Sequence, residues 1–264
     1  MEIKNPRRML VVGASNAGVL DLIKDLTGSA PSPIDSSTAG LSHTLSLKTP
    51  YYTAAIPIWI DELASLPAWT AEFLAPEACA VVSALGAWIF CFRRPLPGAN
   101  VGSPEHIDTV KDSMRAVQAV IKEACGDEWD GVCLAVAMPQ TTVPYVEMET
   151  DEWEYTCREF GFEYVDSEAK EKNEFGEKTG VERVKEALEA NEWDGDDLLD
   201  SDFEQEGDGE EGLDGEEAEM GVELFGMKGA LRGNEGESEE AKQVEDLERM
   251  MGKLQTVKGT LLIY

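Results

Sequence analysis

One stretch constrains the fold more than any other: Gly13-Ala14-Ser15-Asn16-Ala17-Gly18, read with its flanks. Ahead of it, Arg8-Met9-Leu10-Val11-Val12 is short, apolar and β-branched. Behind it, Val19-Leu20-Asp21-Leu22-Ile23-Lys24-Asp25-Leu26 has helical apolar spacing and stops at Gly28. Strand, Gly-x-x-x-x-Gly turn and helix make the layout of a phosphate-binding loop, whose backbone amides and helix N-terminus attract anions. A working loop continues with Lys, which reaches the β/γ-phosphates, and Ser or Thr, which holds Mg²⁺. Here those positions are Val19 and Leu20. Neither can carry charge or coordinate a metal. Gly13, Gly18, Val19 and Leu20 therefore describe a degenerate phosphate loop, with the two glycines kept for a tight, well-packed strand-to-helix turn.

Charge narrows the choice of partner. The formal net charge is −31 over 264 residues, and it is unevenly spread. Residues 1–193 hold 31 acidic and 16 basic side chains, whereas 194–240 hold 19 acidic and two basic ones, Lys228 and Arg232. Nucleic acid and anionic membranes demand Lys/Arg clusters, so both are excluded as expected partners. No apolar run approaches the about 20 residues of a membrane-spanning helix. The start, Met1-Glu2-Ile3-Lys4-Asn5-Pro6-Arg7-Arg8, has no signal-peptide core. Cys79, Cys91, Cys125, Cys133 and Cys157 include no Cys-x-x-Cys pair and read as buried free thiols of a cytoplasmic protein. With only two histidines, His43 and His106, no metal or other cofactor is expected.

Residues 7–193 alternate strand-like and helix-like segments. A Ser/Pro/Thr/Gly-rich loop over 29–42 precedes two period-two runs, His43–Thr49 and Tyr52–Ile60, which predict a hairpin. Residues 62–86 read as partly helical, and Ala87–Phe92 as a buried strand. A helix from Pro104, a buried strand over 131–138, a helix over 150–160, a short strand over 163–166 and a helix over 180–191 follow. This order predicts a three-layer α/β sandwich with a mixed sheet, of the Ras/Rab-like type, occupying residues 1–193. Residues 194–240 cannot bury enough apolar area to offset their ordering entropy, which predicts an acidic disordered linker. Ser238-Glu239-Glu240-Ala241 resembles a capping box, and Val244, Leu247, Met250, Met251, Leu254 and Val257 form one apolar stripe. A C-terminal amphipathic helix over 241–258, with a tail over 259–264, is the expectation. A lone helix of that length needs its stripe covered, so Leu247, Met250, Met251 and Leu254 are expected to bind a partner or a second copy of the chain.

The remaining signatures of a GTPase are absent or broken. Asp-x-x-Gly survives only as Asp61-Glu62-Leu63-Ala64, Asn-Lys-x-Asp has become Met138-Pro139-Gln140-Thr141, and Ser-Ala-Lys is echoed by Ser167-Glu168-Ala169-Lys170. Thr38 or Thr44 could stand for the switch threonine. Losing the lysine, the metal-binding hydroxyl and the guanine-reading carboxylate together removes binding as well as hydrolysis. A dinucleotide site fails because Ser15 replaces its middle glycine and the second strand ends at Lys48. A nucleophile elbow at Ser15 fails for want of a late histidine. The chain reads as a pseudo-GTPase rather than an enzyme; a nucleotide-binding Rab-like GTPase and an acidic chaperone for a basic partner are the alternatives.

The lysine-free loop, the Trp-containing strand Ile58-Trp59-Ile60-Asp61, the acidic spacer and the segment Leu247-Glu248-Arg249-Met250-Met251-Gly252-Lys253-Leu254 together resemble the alpha- and gamma-adaptin-binding protein family, whose fungal members are known as increased recombination centers proteins. The resemblance implies a Rab-like fold without nucleotide turnover, and binding to adaptin large subunits of clathrin adaptor complexes, assisting their assembly and vesicle-mediated transport. The chain departs from the family at its end, Lys258-Gly259-Thr260-Leu261-Leu262-Ile263-Tyr264, where a longer basic helical tail is usual. Leu198-Leu199-Asp200-Ser201-Asp202 also resembles a clathrin-box peptide, with Leu198, Leu199 and Asp200 its matching positions.

Overall fold

The computed structural model describes residues 1–195, except 34–36, 127–128, 141–143 and 174. The disordered linker and terminal helix expected beyond them, with the clathrin-box-like and stripe residues, lie outside the described residues.

Within them, β2 (Arg8–Gly13) is buried along its whole length, as a strand must be when neighbours flank it on both sides and helices cover both faces. It pairs in parallel with β4 (Thr53–Glu62) on one side and β5 (Leu85–Arg93) on the other. Next to β5 come β6 (Val132–Met138) and β7 (Glu163–Asp166), both parallel. The hairpin is present: β3 (Leu41–Lys48) pairs antiparallel with β4 over its full length, from Leu41↔Ile60 to Lys48↔Thr53. A two-residue strand that the sequence pattern did not announce, β1 (Glu2–Ile3), pairs with Thr53 and Ala54. Because β3 occupies the other side of β4 there, β1 leads into the same lane as β2. The sheet is therefore mixed, with only β3 running antiparallel.

Helices cover both faces. On one side α1 (Val19–Thr27) and α6 (Gly180–Ala190) bury Leu22, Ile23, Leu26, Val184 and Leu188 against Val11, Ile58, Ile89 and Val136. On the other, α2 (Leu66–Phe73), α3 (Cys79–Ser83), α4 (Ile107–Cys125) and α5 (Thr150–Glu159) pack Trp69, Phe73, Val117 and Trp153 on Leu10, Trp88 and Ala135. Alternate residues of each central strand thus feed opposite cores. The partly helical stretch over 62–86 resolves into α2, a 3-10 turn at Pro76–Ala78, and α3. The helix expected from Pro104 starts only at Ile107, where the His106 ring Nδ1 accepts from the Asp108 amide at 3.1 Å.

The far end of the domain is closed by its own chain. Trp193 is 1% exposed, its carbonyl accepts from the Arg7 amide at 2.8 Å, and Asp194 bridges to Pro6. All five thiols are free, with Cys91 and Cys157 buried. Cys79 differs from expectation: it opens α3 at the surface and is exposed.

Candidate functional site

Parallel strands bring Gly13, Glu62, Arg93, Met138 and Asp166 to one edge of the sheet, the carboxyl ends where α/β proteins place ligands. The Gly13–Gly18 loop lies at the centre of that edge. A Cβ on Gly13 would stand 2.8 Å from both the Ala17 Cβ and the Cys91 carbonyl oxygen, so no side chain fits. Gly18 takes φ 92° as the residue before α1, and Asn16 is the one described non-glycine residue at positive φ, 62°. The turn is present, with no room for a side chain at Gly13.

The two positions that would carry phosphate chemistry point elsewhere. Val19 is 3% exposed and belongs to the core beneath α1, while Leu20 packs partly buried against the same core. Asp61 survives from Asp-x-x-Gly but faces the opposite side of the sheet. It is fully buried, its Oδ2 accepts from the Trp69 indole Nε1 at 2.8 Å, and its Oδ1 accepts from the Glu62 amide at 2.9 Å. A carboxylate so placed supports the fold and cannot reach the loop.

Two charged residues occupy the loop instead. Glu62 Oε1 accepts from Ser15 Oγ at 2.6 Å, the short distance of a charge-assisted bond. Its Oε2 accepts from the Thr38 amide at 3.0 Å, Ser37 Oγ at 3.1 Å and Thr38 Oγ1 at 3.4 Å. Burial pushes this carboxyl's pKa up, but the hydrogen bonds from Ser15, Thr38 and Ser37 outweigh it and leave it below the usual glutamate value. Thr38, not Thr44 out on β3, is therefore the threonine brought to the loop. From the other side the Arg93 Nε donates to the Asn16 carbonyl at 2.9 Å, its Nη1 to the Pro139 carbonyl, and its Nη2 stands 3.5 Å from Asp21. Between them lies a cavity of about 260 Å³, bounded by Asn16, Gly18, Asp21, Thr38, Glu62 and Arg93.

Further along the edge, Arg94 is held by acidic side chains that end and follow β7. Arg94 Nη2 pairs with Asp166 at 2.6 Å, and its Nη1 lies 3.2 Å from Glu168 and 3.1 Å from the Tyr145 hydroxyl. Burial opposes the charge on Arg94, yet Asp166, Tyr164 and Glu168 outweigh it and hold the guanidinium protonated. Gln140 Nε2 donates to the Arg94 carbonyl at 2.8 Å, and Ser167 Oγ donates to the Ala137 carbonyl at 2.7 Å. The one sequence signal for Arg93 and Arg94 is their position, a charged pair closing a strand whose preceding eight residues are all buried.

Among the described residues no group of three His, Cys, Asp or Glu is placed to hold a metal ion, and no helix is long and apolar enough to cross a membrane.

No family model matches the chain. An uncharacterized protein of Schizosaccharomyces pombe is 29% identical over 194 residues, 71% of this chain and 67% of that protein. Increased recombination centers protein 6 of Candida tropicalis is 26% identical over 215 residues, 74% of each chain, and that of Meyerozyma guilliermondii is 24% identical over 199 residues, 70% of this chain and 68% of that protein. In fold, the crystal structure of yeast Irc6p, a conserved clathrin accessory protein, matches with a TM-score of 0.50 and 18% identity, covering 71% of this chain and 94% of that one. By sequence, this chain is similar to fungal increased recombination centers protein 6 over about seven tenths of its length, at about a quarter identity.

Proposed function

We propose that this chain is a non-enzymatic accessory protein of clathrin adaptors, acting in the cytoplasm, and that its domain is a Ras/Rab-like one no longer run as a nucleotide switch. The observation that carries the proposal is the kinship with increased recombination centers protein 6, whose yeast namesake is a clathrin accessory protein. The partners that follow are adaptin large subunits, whose assembly and vesicle traffic the protein would assist.

The domain reading rests on two further points. The strand order β3-β4-β2-β5-β6-β7, with β3 alone antiparallel, is the order of a Ras-like sheet. The loop that such a domain uses for phosphate faces Asp21 and Glu62, and an incoming phosphate would meet both carboxylates.

Purified full-length chain titrated with recombinant adaptin large subunits is expected to bind saturably. Calorimetry with GTP, GDP and Mg²⁺ is expected to show no saturable heat. No adaptin binding would overturn the partner assignment, and micromolar nucleotide binding would favour the nucleotide-binding Rab-like alternative. Deleting 194–240 tests the acidic-chaperone alternative. Adaptin binding should survive the deletion, whereas loss of every interaction would move the function to the acidic segment.

A further inference from the structure

Glu62 and the four donors around it come from three separate parts of the chain. Ser15 lies inside the glycine loop, Ser37 and Thr38 precede β3, and Glu62 ends β4 directly opposite Gly13 in the sheet register. Each donor is a group that could turn to water, so their convergence on one carboxylate needs a cause. The anchor is rigid: the Leu63 amide donates to the Gly13 carbonyl at 2.8 Å, which fixes the backbone on either side of the bonded pair. The Glu62 side chain leaves the sheet on the α1 side because Asp61, its neighbour, takes the other. That direction aims it into the cavity at the start of α1, where the helix N-terminus favours negative charge.

We propose that the Glu62 carboxylate is the resident anion of this site, an intramolecular ligand that ties Ser37 and Thr38 to the glycine loop with no bound phosphate. Its two oxygens satisfy a loop hydroxyl on one side and an amide with two hydroxyls on the other. An external anion would have to displace those bonds and then sit beside a carboxylate of the same sign. The approach to β3 is held in one arrangement by the chain itself: the Gly40 amide donates to Ile60 at 3.0 Å just beyond the tied residues. Glu62 is therefore a positioning residue, and the surface it positions does not depend on any ligand. This inference stands on the geometry alone, and needs neither the adaptor reading nor the absence of nucleotide binding.

Hydrogen exchange on the full-length chain, without nucleotide or partner, tests it. In Glu62→Ala the Thr38 amide and the 13–18 segment should exchange roughly ten- to a hundred-fold faster, the range expected when a hydrogen bond to a charged acceptor is lost. Amides of Val11 and Ile89 in the central strands should stay at wild-type rates, which separates a local release from general weakening. Glu62→Gln keeps the shape and one acceptor oxygen, so it should fall between the two; it carries the test if the alanine variant does not fold. Ser15→Ala should free the 13–18 segment while Thr38 stays protected. Exchange at both Thr38 and the 13–18 segment within twofold of wild type in Glu62→Gln, or acceleration spread evenly over Val11 and Ile89, would overturn the proposal.

Discussion

Asp61 and Glu62 are adjacent, and the two-residue period of a strand sends them to opposite faces with opposite duties. Asp61 is a structural acceptor for Trp69 in the core. Trp69→Phe removes the indole donor and leaves a buried carboxylate short of a partner, so urea unfolding should register a loss of about 1.5–3 kcal/mol. Asp61→Asn keeps an acceptor for the indole and should cost less; a Trp69→Phe variant as stable as wild type would refute the role. For Glu62 the pH dependence has a definite sign. Its pKa is lower in the folded protein than in the unfolded chain, so the ionised form favours folding. Its contribution is complete above the ordinary carboxylate range and is lost as pH falls through the lowered folded value. Asp21 and Arg93 share the cavity, but both are common to wild type and Glu62→Gln. The stability gap between those two proteins should therefore be flat from about pH 7 to 5 and close below that, as read by melts at each pH. A gap that widens on acidification would reverse the assignment.

At the scale of elements, the local signals that carried information were those with a steric cause. Gly13 had to be a glycine because Ala17 and the Cys91 carbonyl leave no room for a Cβ. Gly13→Ala should therefore destabilise by about 1–3 kcal/mol through overpacking, measured as a drop in melting temperature with the fold otherwise retained. An unchanged melting temperature would mean that the loop relaxes freely. The same kind of signal made β2, the hairpin and β4 to β7 legible, since each is an apolar or alternating run bounded by turn residues. Residues 62–86 were harder to read, because a short helix such as α2 is held by the aromatic packing of Trp69 and Phe73 on Trp88 and α3 by burial of Val81 and Val82, neither of which sequence spacing encodes. β1 was invisible, being only two residues long and dependent on the free lane beside Thr53. The candidate site divided in the same way. Its glycines could be found from spacing. Glu62, Arg93 and Arg94 could not, because charged residues at strand ends are ordinarily solvated, and only the fold brings Ser37 and Thr38 to Glu62, Asn16 to Arg93 and Asp166 to Arg94.

For the whole molecule, the question is what covers the apolar stripe of Leu247, Met250, Met251 and Leu254, which lies outside the described residues. Within the described residues both faces of the sheet already lie under helices, α1 and α6 on one and α2 to α5 on the other. The exposed large apolar side chains there are Met1, Tyr51, Leu74, Val101, Tyr155 and Phe175, dispersed over turns, a helix and loops rather than aligned as a seam. A helix of about five turns, as the spacing predicts, would find no continuous apolar track among them. The chain leaves the described domain beside Pro6, at the end of the sheet opposite the glycine loop, and a strongly acidic stretch separates it from the stripe in sequence. Two adjacent methionines suit a surface that adapts to another chain. We therefore expect Leu247→Asp with Met251→Asp to abolish adaptin binding or self-association while the melting temperature stays at the wild-type value. Sedimentation, adaptin pull-down and calorimetry on the same preparation give the three readings. If the double variant melts several degrees lower while binding persists, the stripe packs on its own domain and the interface assignment is wrong.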